Sequence, residues 1–234
     1  MTPGQPAMAA APLFAPRLLL LDLDGTLVDS VPDLAAAVQR MLAALERPPV
    51  RQDDVRNWVG NGAPRLVKRA LTGTLHGEPA AAEFARAMPL FLRFYAEENC
   101  RHSQPYPTTR ATLERLAATG LPLACVTNKP ADFTQPMLDQ FGLAGYFGLV
   151  VAGDTARAIK PDPAPLLHAA EFFKVPPGDA LMVGDSVNDI EAARAAGMPV
   201  ICVSYGYNHG HDIRLAAPDA VIDSLAELEQ LLAL

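Results

Sequence analysis

The chain of 234 residues is half apolar and 19 % charged, and its formal net charge is −7. This composition is typical of a globular protein with a sizeable core, and the negative charge argues against nucleic acid or an anionic membrane surface as a partner. No run reaches the ~18 apolar residues of a membrane span. Cys100, Cys125 and Cys202 lack metal-ligand spacing, as expected of reduced thiols. We therefore predict a cytoplasmic protein, a monomer or a small homo-oligomer, that uses neither nucleic acid nor membrane as a partner.

The chain begins with a proline-rich stretch that carries no charged side chain before Arg17. We expect a disordered tail over residues 1–15. The apolar run at residues 18–21 then predicts a buried strand, which leads directly into two carboxylates.

Those carboxylates, Asp22 and Asp24, are two positions apart, so that strand geometry would place them on one face. Carboxylates in an apolar setting are costly to bury unless they are paired, hydrogen-bonded or metal-bound. Gly25 then breaks the strand where a backbone can approach a ligand closely. The pattern predicts a metal-assisted catalytic centre at the carboxyl edge of a sheet, where open α/β folds place their sites.

The next part of the chain has helical spacing of its apolar residues and no strong strand signal between residues 28 and 104. Helices are predicted over residues 31–47, from Gly62 to about residue 71, and from about 80 to 98. We therefore predict an all-helical domain at residues 29–104, inserted into an α/β core that comprises residues 16–28 and 105–234.

From about residue 107 onward, predicted helices and apolar strands alternate, which favours a mostly parallel sheet covered by helices on both faces. The predicted helices lie near 108–119, 131–141, 163–173 and 187–196, with a last one from residue 224, and the predicted strands lie at 121–127, 147–151, 180–184, 200–203 and 220–222.

Polar residues follow four of the predicted strands, and a parallel sheet would bring all four loops to one edge. Phosphoryl transfer needs an in-line nucleophile, a metal ion, and positive charge or hydrogen-bond donors around the phosphoryl oxygens. Carboxylates can act as nucleophile and as general acid and base, and their mutual repulsion argues for a divalent cation such as Mg²⁺. The candidates are Asp22 and Asp24, then Thr127, Asn128 and Lys129, then Lys160, and finally Asp185 and Asp189.

Each segment also has a simpler structural interpretation. The run GDSVND at 184–189 is typical of a helix N-terminus, Thr127 and Asn128 are typical of a turn, and a lysine before proline is typical of a solvated loop. The position of all four segments just after predicted strands favours a shared site.

The same residues resemble the motifs of the haloacid dehalogenase-like superfamily of phosphohydrolases. Residues 22–26 match its DxDGT motif, Thr127 matches its strand-end Ser or Thr, Lys160 matches its Lys that often precedes Pro, and residues 184–189 match GDxxxD. The resemblance spans residues 17 to 225 and implies a Rossmann-like α/β fold with an inserted all-helical cap.

The resemblance also implies a role for each residue. Asp22 would be the nucleophile that forms an aspartyl-phosphate, and Asp24 would be the general acid and base. Asp22, the main-chain carbonyl of Asp24, and Asp185 would hold Mg²⁺, while Asp189 would either support these ligands from behind or orient Lys160. The phosphate would be bound by Thr127, Asn128 and Lys160, with Gly25 beside the substrate.

Within the superfamily, residues 22–38, 58–71 and 204–210 resemble bacterial phosphoglycolate phosphatases. The resemblance implies a small phosphorylated metabolite as substrate, 2-phosphoglycolate first among them. Arg65 would then clamp the substrate carboxylate through two hydrogen bonds, the alternative being a solvated helix residue. One departure is Thr108, where such proteins often have glycine.

Other functions stay open at this point. The same chemistry serves a phosphatase or mutase that acts on pyrophosphate, a nucleotide or a sugar phosphate. A regulatory module that binds phosphate without turnover is the non-enzyme alternative.

Overall fold

The computed structural model describes residues 13–234. The strands, in chain order, are β1 (Leu18–Leu21), β2 (Val28–Asp29), β3 (Gln104–Pro105), β4 (Leu123–Val126), β5 (Leu149–Val151), β6 (Ala180–Gly184), β7 (Val200–Val203) and β8 (Ala220–Ile222). The helices are α1 (Val31–Ala44), α2 (Gln52–Trp58), α3 (Gly62–Thr72), α4 (Ala81–Glu98), α5 (Thr109–Ala118), α6 (Ala131–Gln140), α7 (Ala164–Phe173), α8 (Val187–Ala196) and α9 (Leu228–Leu231). Most of the predicted tail at 1–15 lies outside the described residues. At its end, the N–H groups of Leu13 and Phe14 both donate to the carbonyl of Leu231.

Six parallel strands form the central sheet, in the order β5-β4-β1-β6-β7-β8. Every strand therefore ends at the same edge, and β1 lies between β4 and β6 near the middle. The predicted α/β class with a mostly parallel sheet is confirmed.

The four leucines of β1 are fully buried because helices cover both faces of the sheet. Leu19 and Leu21 pack in the layer that contains α5, α6 and α9, whereas Leu18 and Leu20 pack in the opposite layer with α7 and α8. Alternation of side chains along a strand thus divides one apolar run between two cores. The residues that follow β1 are held in place from both sides.

Helices α1 to α4, which we call the helical cluster, pack around a core of their own. The fully buried Phe91 lies in this core and Trp58 is nearly buried beside it. Phe133 and Tyr207, from outside the helical cluster, pack against the same core. The predicted division into an inserted domain at 29–104 stays a prediction.

Two short features of this region were not predicted. Helix α2 has only seven residues and buries only Val55 and Trp58, so its polar sequence shows no helical period. The two-residue strands β2 and β3 pair antiparallel, with Val28 opposite Pro105. Strands of this length are too short for an alternating pattern to reveal. Among the residues from 13 onward, no helix is both long and apolar enough to cross a membrane.

Candidate active site

The carboxyl edge of the sheet and the helical cluster enclose a cavity of about 50 Å³. Asp22 reaches it from the end of β1, Thr127 from the end of β4, and Asp185 from the end of β6. Lys160 enters from the loop between β5 and α7. The structure thus brings together residues that are more than 160 positions apart in sequence. The helical cluster and its loops contribute an apolar roof that includes Leu34, Val59, Ala63, Leu66, Phe91 and Tyr95.

The turn after β1 fixes the positions of both carboxylates. The N–H of Asp22 donates to the carbonyl of Val183 at 2.9 Å, which extends the pairing of β1 with β6. Gly25 follows with a φ of +89°, a conformation that favours glycine. A Cβ on Gly25 would lie 2.2 Å from an oxygen of Asp185. Gly25 therefore packs directly against the Asp185 carboxylate, and its predicted role beside the substrate stays a prediction.

Lys160 is the central cation of the edge. Its Nζ lies 2.8 Å from Asp22, 2.7 Å from Asp189 and 2.7 Å from the carbonyl of Val126. The side chain is only 2 % exposed, which excludes a solvated loop lysine. Burial disfavours its charge, but Asp189 and Asp22 outweigh that effect and raise the pKa of Lys160 above its ordinary value. Lys160 therefore stays protonated beside Asp22.

Asp22, Asp185 and Asp189 form a buried acidic cluster in which one ligand atom from each lies within 4.8 Å of the others. Burial, with a further contribution from Asp189, raises the pKa of Asp22 to about 6, although Lys160 opposes the shift. Burial and the charges of Asp189 and Asp22 raise the pKa of Asp185 as well. Crowded carboxylates with raised pKa values have the charge and the hard oxygen atoms that suit a divalent cation. The residues therefore fit such an ion.

Asp189 accepts hydrogen bonds from more donors than Asp22 or Asp185 does among the described residues. Oδ1 accepts a hydrogen bond from Lys160, and Oδ2 accepts from the N–H groups of Asp185 and Ser186 at the start of α8. The helix N-terminus interpretation of this segment is thus correct for Asp189. It also means that Asp189 orients Lys160 and the Asp185 loop.

Thr127 and Asn128 use their side chains for local structure. The hydroxyl of Thr127 accepts from the N–H of Lys129 at 3.2 Å, as a turn predicts. The Asn128 amide binds the N–H and the carbonyl of Lys160 at 2.9 and 2.8 Å, and it also donates to the carbonyl of Gly60. The predicted use of the Asn128 side chain as a phosphate ligand is not supported, because the amide holds the Lys160 loop instead.

Lys129 is a site residue whose importance the sequence did not reveal. Its Nζ lies 3.1 and 3.2 Å from the two carboxylate oxygens of Asp24, and it donates a hydrogen bond to the hydroxyl of Tyr95 on α4. Burial opposes the charge of Lys129, but Asp24 and Tyr95 raise its pKa above the ordinary value. Nothing in the TNK run separates this buried ammonium from an ordinary loop lysine.

A network of amide side chains, main-chain carbonyls and Arg69 joins the helical cluster to the sheet edge. Asn61 donates to Asn188 at 2.7 Å, and both Asn128 and Asn188 donate to the carbonyl of Gly60. Arg69, which is 5 % exposed, donates to the carbonyl of Trp58 and, at 2.8 Å, to Asn61. Residues 58–61 are therefore fixed from both sides.

The structure does not bring Arg65 to the cavity. Its guanidinium pairs with Glu78 at 2.5 Å and donates to the carbonyl of Leu75 at 2.8 Å. Arg65 lies on α3 one turn before Arg69, and the face it occupies is directed towards the loop after α3 rather than towards the sheet edge. The predicted carboxylate clamp at Arg65 is therefore not supported.

The segment after β7 supports the acidic cluster from behind. The N–H of Tyr207 donates to Asp185 at 2.5 Å, and its hydroxyl accepts from the N–H of Ser30 at 3.0 Å and donates to Asp29. A Cβ on Gly206 would lie 2.2 Å from the side chain of Asp185, so only glycine fits there. Tyr207 thus connects Asp185 to the segment where the chain enters the helical cluster.

A parallel α/β sheet with an acidic, lysine-bearing site at its carboxyl edge is the arrangement of the haloacid dehalogenase-like hydrolases. The family model described as haloacid dehalogenase-like hydrolase matches residues 16–197. The chain belongs to this family.

The match to its relatives extends over most of their length. The phosphoglycolate phosphatase of Nitrosococcus oceani is 49 % identical over 217 residues, which is 93 % of this chain and 96 % of the relative. Phosphoglycolate phosphatase 1 of Pseudomonas aeruginosa is 48 % identical and covers 94 % of this chain and 82 % of its own. A crystal structure described as a predicted phosphoglycolate phosphatase from Haemophilus somnus matches with a TM-score of 0.87 and 38 % identity, and covers 92 % of this chain and 97 % of its own.

Proposed function

We propose that this hydrolase cleaves the phosphate ester of 2-phosphoglycolate, with Mg²⁺ as its cofactor, to give glycolate and phosphate. The observation that carries the proposal is the meeting of Asp22, Lys160 and Asp185 in one cavity at the carboxyl edge of the sheet. The printed names of relatives at 47–49 % identity supply the choice of substrate.

In the proposed reaction, Asp22 is the nucleophile. One carboxylate oxygen forms a bond to phosphorus as the bond to the ester oxygen breaks, and Asp24 gives its proton to the departing alkoxide. Asp24 then takes a proton from water, which attacks phosphorus and releases phosphate from Asp22. Lys160, 2.8 Å from Asp22, holds positive charge beside the phosphoryl oxygens.

The residues proposed to hold Mg²⁺ are the carboxylates of Asp22 and Asp185 and the main-chain carbonyl of Asp24. Asp189 is left out of this set because one of its oxygens is paired with the Lys160 ammonium and the other already accepts from two main-chain N–H groups and from the Ser186 hydroxyl. When bound, the ion supplies positive charge next to the phosphoryl group, which a cluster of carboxylates alone would repel.

The size of the cavity supports a small substrate. A cavity of about 50 Å³ holds only a few water molecules, since one water needs roughly 10–15 Å³. Apolar side chains of the helical cluster form the roof of this cavity. These features favour a two-carbon phosphate ester over a nucleotide or a sugar phosphate.

The test is release of inorganic phosphate from 2-phosphoglycolate by the purified chain, with and without Mg²⁺, beside the Asp22→Asn variant. We expect release that depends on Mg²⁺ and on Asp22. A panel that contains pyrophosphate, a nucleoside monophosphate and a hexose phosphate should give lower kcat/KM values. A higher kcat/KM for any of them would overturn the choice of substrate, and turnover by the Asp22→Asn variant would overturn the mechanism.

A further inference from the structure

The cavity contains more negative than positive charge. Among the described residues that line it, four are aspartates and two are lysines. Lys160 directs its donors at Asp22, Asp189 and the carbonyl of Val126. The remaining cation, Lys129, is therefore the group that a second anionic centre of a substrate would contact.

Lys129 lies where the sheet edge meets the helical cluster. Its side chain is 2 % exposed, and its Nζ lies 4.9 Å from the centre of the Tyr95 ring as well as against the Tyr95 hydroxyl. Tyr95 is fixed in turn by Phe91 on one side and Phe133 on the other, with ring centres 5.6 and 4.5 Å away. An ammonium held this rigidly loses little freedom when it binds an anion.

The hydroxyl of Tyr95 can donate a hydrogen bond to a ligand. Its oxygen accepts from Lys129, and the hydroxyl donates to no group in the part of the chain that the structure describes. Burial raises the pKa of Tyr95, so the phenol keeps its proton at neutral pH. Tyr95 and Lys129 line the cavity together and present an N–H and an O–H donor to the same space.

A carboxylate is the anion that this pair fits. Two donors, one of them charged, match the two oxygens of a carboxylate, and hydrogen bonds to charged groups are about twice as strong as neutral ones. Asp24, which contacts Lys129 in this structure, already shows a carboxylate on this ammonium at 3.1 and 3.2 Å. A substrate carboxylate next to the ester oxygen would share the ammonium with Asp24.

We propose that Lys129 and Tyr95 form the carboxylate subsite of this enzyme. This subsite makes the enzyme select phosphorylated carboxylic acids over phosphate esters of uncharged alcohols. The inference rests on the proposed function and adds to it the residues that bind the non-reacting end of the substrate. It replaces Arg65, which pairs with Glu78 away from the cavity.

The experiment compares two substrates of equal chain length, 2-phosphoglycolate and 2-hydroxyethyl phosphate. Their kcat/KM values are measured for the wild type and for Lys129→Met, Lys129→Arg and Tyr95→Phe. Because Lys129 also contacts Asp24, Lys129→Met slows both substrates, and the ratio of the two kcat/KM values is the readout.

We expect the ratio to fall about 100-fold in Lys129→Met, since loss of one partner of a buried charge pair has an effect of that order. The change should appear mainly in the KM for 2-phosphoglycolate. Tyr95→Phe should lower the ratio about 10-fold, and Lys129→Arg, which keeps the charge, should retain most of it.

An equal fall for both substrates, with the ratio unchanged, would overturn the inference and leave Lys129 as a residue that only positions Asp24. Calorimetric binding of 2-phosphoglycolate to Asp22→Asn and to Asp22→Asn/Lys129→Met, with Mg²⁺ present, tests the subsite without turnover. Weaker binding by the double variant supports the subsite even if the wild type fails to hydrolyse 2-phosphoglycolate, and that failure would then overturn the proposed function alone. Equal binding by both would overturn the subsite.

Discussion

The sheet edge and the helical cluster face each other across one cavity and contribute different groups to it. The edge supplies every carboxylate and both lysines among the described lining residues, whereas the helical cluster supplies apolar side chains and the hydroxyl of Tyr95. The difference teaches that charge is held by strand ends, where main-chain N–H groups and neighbouring loops can fix it. The roof instead sets the size of the space and excludes water.

The way each region is held also differs. Lys160 and Asp189 are buried and each has several charged or hydrogen-bonding partners within the core. The helical cluster contacts the edge mainly through amide side chains and carbonyls, such as Asn61 with Asn188. We therefore expect changes to Asp22, Lys160 or Asp189 to reduce the chemistry, and changes where Lys129 meets the helical cluster to alter substrate selection.

The largest expected effect is that of Asp22→Asn. An amide has nearly the same shape but cannot act as the nucleophile, so kcat should fall by at least about 10⁴-fold. Phosphate release measures the loss, and circular dichroism checks that the fold is kept. Turnover near the wild-type value would contradict this comparison, because the catalytic nucleophile would then not lie at the sheet edge.

Asp189→Asn should have the next largest effect, although Asp189 touches neither substrate nor metal in the proposed mechanism. The amide would remove the charge that Lys160 contacts at 2.7 Å, so that kcat/KM should fall about 10- to 100-fold. Breaking one side of a buried ion pair should also lower the free energy of unfolding by about 3 kcal/mol.

The matched control for Asp189→Asn is Glu191→Gln, which changes an exposed carboxylate two residues further along α8. It should change the free energy of unfolding by less than about 0.5 kcal/mol. Equal effects of the two substitutions on chemical denaturation and on kcat/KM would show that the position of Asp189 is unimportant.

Mg²⁺ should stabilise the folded protein by binding to the carboxylates at the sheet edge. Burial, with a contribution from Asp189, raises the pKa of Asp22 to about 6, so the charged form of this carboxylate is disfavoured when no cation is present. At 100 times its dissociation constant, the ion should add about 2.7 kcal/mol to the free energy of unfolding. Thermal melts with and without Mg²⁺ measure this gain, which Asp185→Asn should largely remove. A gain of equal size in that variant would place the ion elsewhere.

The smallest expected effect is that of Arg65→Ala, and Arg69→Ala is its partner one turn away on α3. Arg65 pairs with exposed Glu78, so the KM should change less than about twofold. Arg69→Ala removes hydrogen bonds to Trp58 and Asn61 and should destabilise the protein by about 2 kcal/mol while raising the KM. A larger change in KM for Arg65→Ala than for Arg69→Ala would reverse the assignment of the two arginines.

Much of the core could be predicted from the sequence. Strands β6 and β7 and helix α8 begin and end at the predicted residues, because a strand buried on both faces leaves an unbroken apolar run. The order of strand ends then predicted which polar residues share an edge, and the structure brings Asp22, Thr127, Lys160 and Asp185 to one cavity.

The remaining parts of the site depend on how the helical cluster lies over the sheet edge. No short sequence pattern predicts that arrangement. The contacts of Lys129 with Tyr95 and of Asn61 with Asn188 join residues from separate regions of the chain. Nothing in the sequence distinguishes Arg65 from Arg69, which lies one turn further along α3. In the structure only Arg69 supports residues 58–61. Short elements such as α2 were also beyond reach, because seven residues hold too few apolar positions to show a period.

The pairing of β2 with β3 has a consequence for how such enzymes change over time. Val28 lies opposite Pro105 and Asp29 opposite Gln104, so the chain enters the helical cluster and returns from it along two adjacent segments. A piece of chain inserted between neighbouring points can be exchanged, lengthened or trimmed while all six strands keep their order. Evolution can thus install a different roof over an unchanged reaction centre, and a chimera that exchanges residues 30–103 between homologues is the laboratory equivalent.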